Sequence, residues 1–129
     1  MIVVDSSALI AIVLGEPDAE RLARVMEANA TVLSAGSLLE TAMVAERLQG
    51  PDAVRDLETL LERYQIEVHP IDEDIAWDAH IAWRRFGKGR HPAGLNFGDC
   101  FSYALAKTLG VPLLFKGNDF SQTDVAVAR

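Results

Sequence analysis

A chain of 129 residues, 50% hydrophobic and 24% charged, is long enough to bury one core and too short for two, so a single domain over residues 1–129 is expected. Twelve basic against nineteen acidic residues leave a net charge of −7, which argues against a general nucleic-acid binder with a broad basic face and requires any RNA contact to be local. Cys100 is the only cysteine, which excludes an internal disulfide and a cysteine-based zinc cluster and leaves it as a small buried filler.

The longest apolar run, Ala8 to Leu14, falls far short of the roughly 20 residues a membrane helix needs. No basic segment precedes an apolar run at the start, so no secretory signal is read and a cytoplasmic location is expected. In chain order, Ile2-Val3-Val4 reads as a buried strand, and Ser6-Ser7 offer hydroxyls to cap a helix from Ala8 to Leu14. Gly15 ends that helix, and Pro17 suits the first turn of another running to about Ala28 with Leu22, Val25 and Met26 inward. Thr31-Val32-Leu33 is the next strand, and Ser37 begins a helix with a Leu and Met stripe that Gly50-Pro51 stops. By default that stripe is core or a subunit interface.

Asp52 to Tyr64 is helical by the spacing of Val54, Leu57, Leu60 and Leu61, and Ile66-Glu67-Val68 alternates as a strand. Asp72 caps a helix that carries Ile75, Ala79, Ala82, Trp83 and Phe86 to Gly87. Trp77 and Trp83 read as helix packing residues rather than base-stacking ones. A loop from Gly87 to Leu95 precedes a helix from Phe97 to Leu109 closed by Gly110, and Val111 to Phe115 forms the last strand. Strands alternating with helices imply a mainly parallel sheet covered on both faces.

Four acids fall at strand ends or helix starts. Asp5 sits beside the amino end of a helix, where a carboxylate gains about 0.3–1 kcal/mol from the helix dipole. Glu40 follows Ser37, and Asp99 follows Asn96, by the three-residue spacing of a capping box. Asp119 lies in a segment rich in turn residues. Each has a plain structural explanation alone. Placed on the alternating architecture, all four can face the carboxyl end of the sheet, where ligands bind in such folds. Carboxylates gathered there repel unless a cation neutralises them, and oxygen-only ligands favour magnesium or manganese. Two such ions about 3.5–4 Å apart activate water and stabilise the leaving oxygen in phosphodiester cleavage.

Ser6 either caps a helix or orients Asp5. His69, His80 and His91 show no ligand spacing. From Ala79 to Gly98 no acidic residue occurs, while Arg84, Arg85, Lys88 and Arg90 cluster; they are either a solvated helix end and loop or a local phosphate-binding patch.

Val3-Val4-Asp5-Ser6-Ser7-Ala8, Leu39-Glu40-Thr41-Ala42, Leu95-Asn96-Phe97-Gly98-Asp99-Cys100-Phe101-Ser102-Tyr103-Ala104 and Leu114-Phe115-Lys116-Gly117-Asn118-Asp119-Phe120 together resemble the successive motifs of VapC-type PIN-domain toxins. The likeness runs in order along the whole chain. It implies a three-layer α/β/α sandwich with a mainly parallel central sheet. The implied activity is that of an endoribonuclease toxin dependent on magnesium or manganese, paired with a VapB-type antitoxin and commonly a homodimer. By position, Asp5, Glu40 and Asp99 match the family's metal-binding acids and Asp119 a less uniform fourth, with Asp124 as the fallback. Ser6 or Ser7 matches the hydroxyl beside the first aspartate, Ser6 being preferred. Arg84, Arg85, Lys88 and Arg90 are then expected to hold substrate phosphates.

The main alternative is a catalytically silent PIN domain that binds RNA or a partner, against which the full set of acids argues. A receiver domain wants paired acids after the first strand. A haloacid-dehalogenase-like phosphatase wants two aspartates two residues apart; Asp5-Ser6-Ser7 offers neither. A structural subunit whose acids are all helix caps is separated from these by a metal-binding measurement.

Overall fold

A computed structural model describes residues 1–129. Three adjacent strands, β1 (Ile2–Val4), β2 (Thr31–Ser34) and β3 (Glu67–His69), run parallel, and β4 (Leu113–Leu114) pairs parallel with the other edge of β1, giving the order β3-β2-β1-β4. Six helices complete the chain: α1 (Ser6–Val13), α2 (Ala19–Glu27), α3 (Ala35–Gln49), α4 (Asp52–Arg63), α5 (Glu73–Phe86) and α6 (Phe97–Leu109).

The strand period explains the layers. Successive side chains of a strand point to opposite faces. Val3, Val32 and Leu113 accordingly pack with Ala79, Ala82 and Leu105 of α5 and α6. Their neighbours Val4, Leu33 and Leu114 pack on the other face with Leu9, Leu22 and Leu57 of α1, α2 and α4. The expected three-layer α/β/α sandwich is therefore formed. No helix is long and apolar enough to cross a membrane.

Several boundaries differ from the sequence reading. Asp5, not Ser6 or Ser7, caps α1, its Oδ2 accepting the Ser7 N–H at 3.0 Å. Ser34 caps α3, so Ser37 lies inside the helix and no Ser37–Glu40 capping box exists. Pro17 stands outside α2, which Asp18 precedes. Beyond β4 the chain returns to the sheet, the Leu113 N–H donating to the Ala126 carbonyl and the Ala128 N–H to that of Leu113. Trp77, expected to pack, is exposed with Ile81, because the inward stripe of α5 is Ile75, Ala79, Ala82 and Phe86. The apolar stripe of α3 divides: Leu38, Ala42 and Ala45 face the core, whereas Leu39 and Met43 are each 62% exposed.

Candidate active site

Strand order changes direction beside β1, where β2 lies on one side and the late-returning β4 on the other. The carboxyl end of β1 at such a switch point is where an open α/β sheet leaves a crevice. Asp5 is the first residue past β1, only 1% exposed. Its Oδ1 accepts the Ser102 hydroxyl at 2.5 Å, and its Oδ2 accepts the Ser7 hydroxyl at 2.7 Å as well as the Ser7 N–H. Burial raises the Asp5 pKa above the usual carboxylate range, and these donors work in the opposite direction.

Asp99 reaches the same place from the first turn of α6. The expected capping box is present: the Asp99 N–H donates to Asn96 Oδ1 at 2.9 Å, and the Asn96 N–H donates to Asp99 Oδ2 at 3.0 Å. The cap does not exhaust the carboxylate. Its pKa is pushed up to about 8, first by burial, against the lowering effect of the Asn96 N–H, and then by Asp5 and Asp119. Asp119 therefore belongs to the same cluster.

Glu40 joins from the second turn of α3. Its Oε1 accepts the Ser6 hydroxyl at 2.6 Å. Its carboxylate lies against Gly98 so closely that a Cβ there would collide with it, which places the charge beside the positive amino end of α6. Ser6 therefore holds Glu40, and Ser7 is the hydroxyl that orients Asp5. Ser7 Oγ also accepts the Lys116 N–H at 3.0 Å, and the Lys116 ammonium pairs with Glu16, so the segment leading to Asp119 is tied to α1.

Asp124 is directed elsewhere. The Tyr103 hydroxyl donates to it, Lys107 Nζ lies 3.4 Å away and an Arg85 nitrogen 3.7 Å. Tyr103 chiefly, then the two cations, hold its pKa below the ordinary value. The basic stretch is dispersed in consequence. Arg85 is engaged by Asp124; Arg90 lies 4.7 Å over the Trp83 ring and donates from Nε to the Arg84 carbonyl. Lys88 lines an apolar groove of about 620 Å³ with Trp83, Asn96 and Phe97, adjoining the start of α6. Cys100 is the expected inert filler: burial lifts its thiol to about 11, and Sγ donates to the Asn96 carbonyl.

The donor set suits a hard divalent cation. It offers carboxylate oxygen alone, and the mutual repulsion that raises the Asp99 pKa is what a cation would remove. No three of these carboxylates lie close enough together to form a ready-made metal cage. Sequence reading missed Ser102 and Ser37. The signal was present, since Ser102 follows Asp99 by three residues and such pairs share a helix face.

Residues 2–126 match the PIN domain family. A protein named ribonuclease VapC from Mycolicibacterium smegmatis is 52% identical over 128 residues, spanning 98% of this chain and 99% of its own. Ribonuclease VapC30 of Mycobacterium tuberculosis is 50% identical over 125 residues, spanning 96% and 95%. Among solved structures, Mycobacterium tuberculosis VapC20, described as a toxin cleaving the sarcin-ricin loop, superposes with a TM-score of 0.81 at 20% identity over 98% of this chain and 97% of its own. A toxin-antitoxin complex from Klebsiella pneumoniae gives 0.71 at 18% over 98% and 96%. With the match spanning nearly the whole chain, and relatives about half identical along nearly their full lengths, the chain belongs to the PIN-domain family, in its VapC-type branch.

Proposed function

We propose that this protein is a metal-dependent endoribonuclease, the toxin of a VapBC-type toxin-antitoxin pair, working in the cytoplasm on RNA phosphodiester bonds. The observation that carries this reading is the proximity of Asp99 to Asp5 and Asp119 beyond the end of β1, with Glu40 against Gly98 one residue before Asp99, in a chain half identical to proteins named VapC ribonucleases. Asp5 and Asp99, both buried, would hold the cation with Glu40 and Asp119 completing the set. Magnesium or manganese, when bound there, supplies charge neutralisation and Lewis-acid activation of the attacking water. The chain's own residues do the positioning. Ser7 and Ser102 fix Asp5, Ser6 fixes Glu40, and Asn96 fixes Asp99. Asp124 is claimed by Tyr103, Lys107 and Arg85, which supports Asp119 as the fourth acid.

Lys88 adjoins the start of α6 and, with Arg84 and Arg90, is the cationic flank for substrate phosphates; Arg85 is assigned to this flank only in so far as it leaves Asp124. The partner is a cognate antitoxin, in keeping with a structural neighbour described as a toxin-antitoxin complex. A homodimer is favoured by Leu39 and Met43, exposed one turn apart on α3.

The test is cleavage of total cellular RNA by the purified, partner-free chain with magnesium or manganese, with chelator, and with Asp99→Asn. Metal-dependent cutting lost in the variant is expected. A folded chain that binds RNA or a partner under every metal and cuts nothing would replace this reading with the silent binding module. Phosphate contact is tested separately: Lys88→Ala and Arg90→Ala are expected to weaken RNA affinity and flatten its salt dependence, and unchanged affinity would remove these residues from the substrate path.

A further inference from the structure

We propose that Ser102, itself held by Ser37, is a positioning residue that fixes the Asp5 carboxylate for cation binding, an inference that rests on the metal-dependent reading above. Ser102 stands one turn after Asp99 on α6, so a single helix face delivers both residues to Asp5. Its buried hydroxyl contacts Asp5 Oδ1 at 2.5 Å, and Ser37 Oγ of α3 lies 3.1 Å behind it, fully buried as well. A serine hydroxyl has one proton to donate. The Ser102 hydroxyl donates to Asp5 Oδ1, which commits its proton, so the hydrogen bond between the two serines is donated by Ser37. A directed relay thus runs from α3 through α6 to the end of β1.

Ser7 holds Oδ2 from the other side through its hydroxyl and its N–H. An aspartate's terminal torsion is soft when free. Here both oxygens are gripped, Oδ2 by two donors of α1 and Oδ1 by one of α6, which leaves the second lone pair of Oδ1 to a cation shared with Asp99. Packing alone does not call for a hydroxyl at this position. Alanine is the better helix former, the following residues Tyr103, Ala104, Leu105 and Ala106 are core, and a buried hydroxyl is costly unless bonded. Thr41, one turn after Ser37, bonds only the Ser37 carbonyl, at 2.6 Å, which leaves the Ser37 side chain free to serve Ser102.

The experiment titrates manganese calorimetrically into the full chain and measures kcat and KM for RNA separately, in wild type, Ser102→Ala, Ser102→Thr and Ser37→Ala. Ser102→Ala is expected to weaken manganese binding by about 10- to 100-fold, the usual effect of losing a group that orients a metal ligand, and to lower kcat with KM little changed. Ser102→Thr keeps the hydroxyl and should recover most of the affinity. Ser37→Ala touches no carboxylate and should shift affinity in the same direction by a smaller factor. A folded Ser102→Ala with wild-type manganese affinity and kcat overturns the inference, whatever its melting temperature. Should that variant fail to fold, wild-type manganese affinity in Ser37→Ala overturns the relay. Wild-type protein that binds no manganese removes the metal reading and this inference together, whereas binding that none of the substitutions alters removes only the relay.

Discussion

Val4 and Asp5 are neighbours in the chain, both buried, and they belong to regions with opposite energetics. Val4 lies in an apolar layer with Leu9, Leu33, Leu57 and Leu114, where burial itself stabilises by about 1.5–3 kcal/mol for a fully buried aliphatic side chain. Asp5 lies in a polar cluster with Ser37, Thr41, Ser102 and Asp99, where burial is a cost that each group must offset with a partner. The offset is complete in hydrogen bonds: no buried side-chain nitrogen or oxygen lacks one. It is incomplete in charge, since burial with Asp5 and Asp119 nearby lifts Asp99 to about 8. The difference separates residues kept for stability from residues kept in spite of it.

Substitutions in the two regions should have opposite consequences for activity and stability. The largest effect is expected at Asp99→Asn, which keeps an acceptor for the Asn96 N–H and removes the charge: RNA cleavage should fall about 1,000-fold, equivalent to ~4 kcal/mol of barrier, in single-turnover assays of folded protein. Leu33→Ala, in the apolar layer, should lower unfolding free energy by about 2–5 kcal/mol in denaturant melts while leaving cleavage at low temperature close to wild type. The smallest effect belongs to Asp124→Asn, which weakens the hub that half-exposed Asp124 makes with the buried Tyr103 and with Lys107 and Arg85. A stability loss of about 1 kcal/mol is expected, with the manganese affinity of the chain unchanged. A large loss of manganese affinity there would move the fourth acid from Asp119 to Asp124.

The apolar layer was the more legible region in the sequence, and the reason is periodicity. Strands and helices announce themselves through spacing that depends on their own residues, and all ten elements were placed with shifts of a few residues at their ends. Asp5 and Asp99 were singled out because each stands at an element boundary, as they do in the structure; Glu40 was placed near the start of a helix and lies in the second turn of α3. What held them was less visible. Ser6 was read as a cap or as the hydroxyl that orients Asp5, yet it reaches Glu40, and Ser7 is the one that reaches Asp5. That assignment depends on how α3 approaches α1, which no local pattern encodes. Ser102 bonds a residue 97 positions away. Trp77 failed for a different reason: an aromatic within a helical apolar pattern was taken as inward, while the narrow stripe of Ile75, Ala79, Ala82 and Phe86 left it outside. The Ser37–Glu40 spacing suggested a cap that Ser34 supplies instead.

A polar cluster buried for a cation should show itself in thermal unfolding of wild type and Asp99→Asn at neutral pH, with and without magnesium. Without metal, replacing a carboxylate whose charged form is disfavoured by burial and by its acidic neighbours should raise stability, by about 1 kcal/mol or more. With magnesium at 100 times its dissociation constant, wild type should gain about 2.7 kcal/mol and the variant little, reversing their order. Wild type indifferent to magnesium and manganese, together with a variant less stable than wild type throughout, would contradict the account and leave the acids as helix caps.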